Sequence, residues 1–174
     1  MKRFAILLLA CCFSFLLFAQ ESPQPADVIL QNATAKAVKE NKKVLVIFHA
    51  SWCGWCRKMD TALNDVAVKD FFQRNFVIEH LTIHETAGKK HLENPGAEEL
   101  NKKWGGGEQG LPYWVILDSR GDVLADSRDV SGDNVGCPAS KAEVDHFIAV
   151  LKKTTSINHT EVAAVEQRFR RNEQ

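Results

Sequence analysis

The feature that most constrains this chain is a wholly apolar run, Val44-Leu45-Val46-Ile47-Phe48, followed almost at once by Cys53-Gly54-Trp55-Cys56. A strand without polar alternation must be covered on both faces, so the run predicts a central strand. After a short exit through His49-Ala50-Ser51-Trp52, a helix-like segment starts near Cys53 and runs to about Leu63. Two cysteines at this spacing on a helix start can close a small disulfide ring. Cys53 then sits where the first turn's N–H groups have no partners, and those amides with the helix dipole favour thiolate over thiol. Cys56, one turn further in, should face the interior and attack only a disulfide already formed at Cys53. That division of labour is thiol–disulfide exchange through a mixed disulfide.

Composition narrows the setting. A chain of 174 residues with 25% charged residues suits one globular domain. Lys plus Arg equals Asp plus Glu at 22 each, so no net field recruits nucleic acid or anionic lipid. Residues 1–19 stand apart: Lys2 and Arg3 precede an apolar run from Phe4 to Phe18, then Ala19 and a polar stretch, which together describe a secretory signal peptide cleaved after Ala19. The run is shorter than the roughly 20 residues a spanning helix needs. Leu8-Leu9-Ala10-Cys11 also has the form of a lipoprotein signal, which would leave Cys11 lipidated and the chain tethered to a membrane. Either way the expected compartment is outside the cytosol, most simply the periplasm. Disulfide chemistry is the default there.

Residues 20–26 read as a linker, 27–153 as the main domain and 154–174 as a helical extension. Asp27 to Asn41 has a helical spacing of Val28, Ile29, Ala33, Ala37 and Val38. Val66 to Arg74 reads as a helix with Val68, Phe71 and Phe72 inward, and Phe76 to Ile83 as a strand. Pro95 to Trp104 predicts a helix with Glu98 and Glu99 near its positive end, broken flexibly by Gly105-Gly106-Gly107. Tyr113 to Leu117 and Val123 to Ala125 flank a turn at Asp118 to Asp122, a hairpin. Ser140-Lys141-Ala142-Glu143 is a capping box, with Val144, Phe147, Ile148 and Leu151 on one helix face. Asn158 can cap a last helix through Val162, Val165 and Phe169, with Arg168, Arg170 and Arg171 at its negative end. Helix–strand alternation followed by a hairpin makes an α/β fold: a mixed sheet, parallel strands plus an antiparallel hairpin, flanked by helices.

Trp52 before Cys53-Gly54-Trp55-Cys56, with Gly110-Leu111-Pro112 opening the hairpin, resembles the thioredoxin superfamily, and most of all its exported bacterial members. The resemblance covers about Asp27 to Lys153. It implies Cys53 as the exposed nucleophile, Cys56 as the resolving thiol, and no cofactor beyond the redox-active Cys53–Cys56 disulfide. It also implies a cis bond before Pro112, a substrate strand pairing at Leu111, Trp52 packed under the loop, Gly54 allowing a tight turn, and Trp55 exposed to partners. The expected partners are protein thiols and disulfides and a separate redox protein. Gly54 and Leu111 lean toward reduction or interchange. Two departures stand out. The buried aspartate that the family carries in the strand before the motif is Ile47 here, leaving Glu79 or His80 as substitutes. In addition, His84 to Gly110 is longer than in a minimal member, so an inserted helix is expected near the rim of the site.

Other readings of the same residues remain open. A purely structural Cys53–Cys56 bridge would close too small a loop to remove much chain entropy. A closed zinc site needs four ligands, and only Cys137 and scattered histidines accompany the pair, so no metal is expected. Cys137 reads as a bystander, with an intermolecular or transient bridge as the rival. His49 is either a tuner of the thiolate or a strand-end histidine bonded to backbone. Asn32 and Asn158 fit the glycosylation pattern, which often arises by chance. Trp104, Tyr113 and Trp114 read as core and rim. From a different functional class, the chain could be an adaptor or chaperone gripping clients through Trp55 and Leu111 without redox turnover.

Overall fold

A computed structural model describes residues 22–173. The proposed signal segment and the Cys11 lipidation site lie outside the described residues. In chain order the elements are α1 (Ala26–Glu40), β1 (Lys43–His49), α2 (Gly54–Leu63), α3 (Lys69–Asn75) and β2 (Phe76–Thr82), then a 3-10 turn (Ala87–Leu92) and α4 (Ala97–Lys103). β3 (Tyr113–Leu117), β4 (Val123–Asp126), α5 (Lys141–Thr154), α6 (His159–Arg170) and a closing 3-10 turn (Arg171–Glu173) complete the fold.

The sheet order is β2-β1-β3-β4. β1 runs parallel to β2 and antiparallel to β3, and β3 to β4 is an antiparallel hairpin. The apolar run is thus a central strand, and its side chains divide between two cores. Leu45 and Ile47 join Trp114 and Ile116 against α2, α3, α5 and α6. Val44, Val46 and Phe48 join Tyr113, Val115 and Leu117 against α1 and α4. The strand lacks polar alternation because neither face meets water.

On the first face an aromatic set fills the space between helices. The Phe147 ring centroid lies 6.1 Å from Phe72, 5.4 Å from Trp114 and 5.0 Å from Phe169. Val165 and Phe169 of α6 are fully buried in this same cluster, so the C-terminal extension shares the main core. Both capping boxes form, at Ser140 with Glu143 and at Asn158 with Glu161.

Two expectations about apolar positions need correction. In α1 the buried positions are Ala26, Ala33 and Ala37, with Ile29 and Leu30 packed beside them. Val28 and Val38 fall off that stripe and are exposed. Small residues let α1 lie close to the sheet, so the helix buries alanines rather than valines. The triple glycine is no flexible break. A Cβ on Gly105 would lie 2.8 Å from the Arg128 guanidinium, and one on Gly106 would lie 2.0 Å from Asn101 Oδ1. Gly105 is there for its left-handed backbone (φ +88°), and Gly106 because the chain is packed too closely for a side chain.

Phe147→Ala should therefore destabilise the protein by about 3–5 kcal/mol, the range for emptying a large aromatic from a core. Val66→Ala, at an exposed position, should stay within about 0.5 kcal/mol. Urea unfolding of the two variants is the check.

Candidate functional site

β1 ends at His49, and the chain must leave the sheet, turn and start α2 within a few residues. Ser51 and Trp52 make that turn, and Cys53 is the N-cap of α2 in an extended conformation. Cys53 is disulfide-bonded to Cys56, with 5.3 Å between their Cα atoms. The Cys56 N–H donates to Cys53 Sγ at 3.1 Å. That N–H belongs to the first turn of α2 and has no carbonyl partner inside the helix, so a sulfur takes the place usually held by a capping oxygen.

Cys53 is only 3% exposed, which corrects the expectation of an exposed nucleophile. The pair forms its own small cluster with Ala50, and Leu111 packs over it. An N-cap side chain folds back over the helix end, and Leu111 of the loop before β3 packs against it. The bond between Leu111 and Pro112 is cis. Trp55 is 47% exposed, with Lys58 Nζ 4.6 Å from its ring centroid.

Trp52 and Gly54 differ from expectation. Trp52 is 53% exposed rather than packed beneath the loop, and its indole N–H donates to the His84 carbonyl at 2.8 Å. Gly54 has ordinary helical backbone, and a Cβ there would touch only Arg57 Nη2 at 3.8 Å. The turn does not demand a glycine.

The long 84–110 segment folds as two short helical pieces, and its first part grips the motif. Glu85, buried, accepts the Ser51 N–H at 2.5 Å on one carboxylate oxygen and the Ser51 hydroxyl at 2.9 Å on the other. Its own N–H donates to Glu93 Oε1 at 2.7 Å, and Lys89 Nζ reaches Ser51 Oγ at 3.2 Å. Burial pushes the Glu85 carboxyl up, but the two Ser51 donors and Lys89 outweigh it and hold it below the ordinary value. Sequence reasoning missed this clasp. A carboxylate 34 residues from its partner leaves no local signal.

The structure also separates the two candidates for the carboxylate missing at Ile47. Glu79 is in register with Val46 and so lies on the α1 face, where burial raises its carboxyl pKa. His80 is in register with Ile47, on the α2 face, and its Nε2 is 2.7 Å from Asp60 Oδ1. Asp60 sits one turn beyond Cys56 on α2, the spacing that places two side chains side by side. Glu79 is therefore set aside, and Asp60 is the residue the sequence reading overlooked. The His49 ring stacks edge-on against His80 at 5.1 Å, and its Nε2 is 3.1 Å from Thr82 Oγ1. Burial, with His80 beside it, lowers the His49 pKa.

Cys137 is buried and unbridged. Burial pushes its thiol up to about 12, and Asn172 Nδ2 donates to its sulfur at 3.3 Å. At neutral pH it is an unreactive thiol. Among the described residues no group of three or more His, Cys, Asp or Glu side chains is placed to hold a metal ion. Among them also no helix is long and apolar enough to cross a membrane.

The clasp predicts a pH dependence. A carboxyl whose pKa is lowered by folding contributes stability above its unfolded value, and that stability is lost as pH falls through the folded value. Glu85→Gln should cost about 1–3 kcal/mol at pH 7, where a charged acceptor of two hydrogen bonds is removed. The gap between variant and parent should close only as pH falls below the ordinary glutamate value of about 4.3. Urea midpoints at pH 7 and in acid test this.

Solved structures with a similar course include a disulphide isomerase from Xylella fastidiosa Temecula1 (22% identity, 62% of this chain and 80% of that one, TM-score 0.48). Others are a DsbH oxidoreductase (22%, 70% and 81%, 0.46) and the C-terminal domain of Neisseria meningitidis DsbD in its oxidised form (22%, 60% and 84%, 0.42). No curated protein matches the sequence. The thioredoxin-like domain family matches residues 30–128, more than half of the chain and the whole of the sheet. With its Cys-x-x-Cys pair joined at the head of α2, the chain belongs to the thioredoxin-like domain family.

Proposed function

We propose that the protein is a thiol–disulfide oxidoreductase that exchanges disulfides with exported proteins through Cys53 and Cys56. The observation that carries this reading is the Cys56 N–H pointing at Cys53 Sγ, at the positive end of α2. When the disulfide opens, the same N–H and the helix dipole stabilise a thiolate at Cys53.

In the reducing direction the Cys53 thiolate attacks one sulfur of a substrate disulfide. A Cys53–substrate S–S bond forms as the substrate's own breaks, and the expelled sulfur leaves as a thiolate. The Cys56 thiolate then attacks Cys53 Sγ, releasing the second substrate thiolate and closing the Cys53–Cys56 bridge. Two electrons pass to the substrate, and its two thiolates take up the protons lost by the two cysteines. A partner dithiol, a separate redox protein, restores the cycle by the same steps reversed. The Asp60–His80 pair, on the same face of the sheet with Asp60 four residues after Cys56, is the proton acceptor we assign to the resolving thiol.

Leu111 packs over the pair, so an incoming segment reaches Cys53 by displacing that side chain. Trp52 and Trp55 give the exposed apolar contact on either side. Export is supported by the basic and apolar pattern of residues 1–19, and reduction or interchange is the direction we favour.

Cys56→Ser should trap partners as mixed disulfides that dithiothreitol releases, whereas Cys53→Ser should trap none. Equilibration of the purified chain with glutathione mixtures should populate the Cys53–Cys56 bridge at a defined ratio. Failure to form it in any mixture, with function in cells kept by Cys53→Ser/Cys56→Ser, would replace the enzyme by an adaptor that binds clients without turnover.

A further inference from the structure

A groove of about 410 Å³ runs beside the disulfide, between α2 and the C-terminal end of the chain. Gly54, Arg57, Lys58, Thr61 and Asp65 supply one wall, and Arg168, Arg171 and Asn172 the other. Among the described residues, four cationic side chains line it against one carboxylate. That carboxylate is committed: Asp65 Oδ2 lies 2.7 Å from Arg168 Nε. Arg168 is itself buried, and its Nη1 donates to Asn172 Oδ1 at 3.0 Å, so its charge is fixed in place. Lys58 Nζ donates to the Asn172 carbonyl at 2.8 Å while lying over Trp55, and Arg57 Nη1 donates to the Ser51 carbonyl at 3.1 Å. The groove is thus tied to both the C-terminal turn and the loop that carries Cys53.

The far wall lies outside the part of the chain that the family model matches. The match to the family ends at residue 128, and Arg168, Arg171 and Asn172 lie beyond it. Arginine at a helix C-terminus has a bland role, favourable interaction with the dipole. Arg168 instead turns inward to Asp65 on the loop after α2, which fixes α6 against the C-terminal end of that helix, while Asn172 reaches Lys58 nearer its start. The positive end of α2 opens into the same groove and adds to its field.

We propose that this groove receives an acidic polypeptide segment of the partner whose cysteines react at Cys53. The proposal rests on exchange at the Cys53–Cys56 pair and adds the substrate class. A carboxylate a few residues from the reacting cysteine would meet Arg57 and Arg171 as the sulfur meets Cys53. The net charge of the whole chain is zero, so steering must come from local arrangement. The groove is open along its length, with a volume of about 410 Å³ that admits side chains of an extended peptide.

The test oxidises the pre-reduced chain with three peptide disulfides identical except for Glu, Gln or Lys flanks, and follows tryptophan fluorescence. At low salt the Glu peptide should react about tenfold faster than the Lys peptide, with Gln between, as expected of electrostatic steering. The spread should collapse near 1 M salt, where the Debye length falls to about 3 Å. Arg171→Glu should slow the Glu peptide about three- to tenfold and leave the Gln peptide within about twofold. Lys103→Glu, on α4 across the sheet, should leave all three unchanged. Equal rates for the three peptides, or an equal loss with Lys103→Glu, would overturn the proposal. So would binding of the Cys53→Ser/Cys56→Ser variant to phosphatidylglycerol vesicles but not to the Glu peptide. If neither the peptides nor neutral bis(2-hydroxyethyl) disulfide oxidise the pair, the redox reading fails by itself. Anisotropy binding of the Glu peptide to the double-serine variant, with and without Arg171→Glu, then still decides the groove.

Discussion

The structure depends on β1 being buried on both faces and bonded on both edges. Leu45 and Ile47 lock one core, Val44, Val46 and Phe48 the other, and β2 and β3 hold the backbone between them. A strand held in this way has little freedom at its exit. The turn at Ser51 and Trp52, and therefore the start of α2, leaves from a fixed point. A thiolate gains from a helix N-terminus only when the amides are already aimed at it, so the electrostatics of Cys53 follow from the packing of a strand that bears no chemistry.

Two later parts of the chain act on that fixed point. Glu85 holds Ser51 by both its donors, and the His84 carbonyl holds the Trp52 indole, so the insert fixes the approach to Cys53 from one side. Asn172 and Arg168 reach α2 and its following loop from the other. Leu111 lies over the sulfurs between them. The motif is thus held from several sides, with open cavities beside Trp55 and Pro112 and along α2.

The polar groups around the site follow from register. In a strand, neighbouring side chains take opposite faces, so Glu79 and His80 are separated by the sheet although adjacent in sequence. His80 meets Asp60, and Glu79 faces Lys36 across from them. A residue count could not choose between them because the choice depends on which residue of β2 pairs with Ile47.

What could be read from the sequence was whatever the local pattern carries: the two-faced strand, the paired cysteines at a helix start, both capping boxes and the hairpin. These depend on spacings of a few residues, and physical chemistry acts on them directly. Tertiary structure alone decided the burial of Cys53 under Leu111, the grip of Glu85 on Ser51, the inward turn of Arg168 and the tight packing of Gly105 and Gly106. Each joins segments far apart in the chain, and their energies arise only when folding removes the water between them.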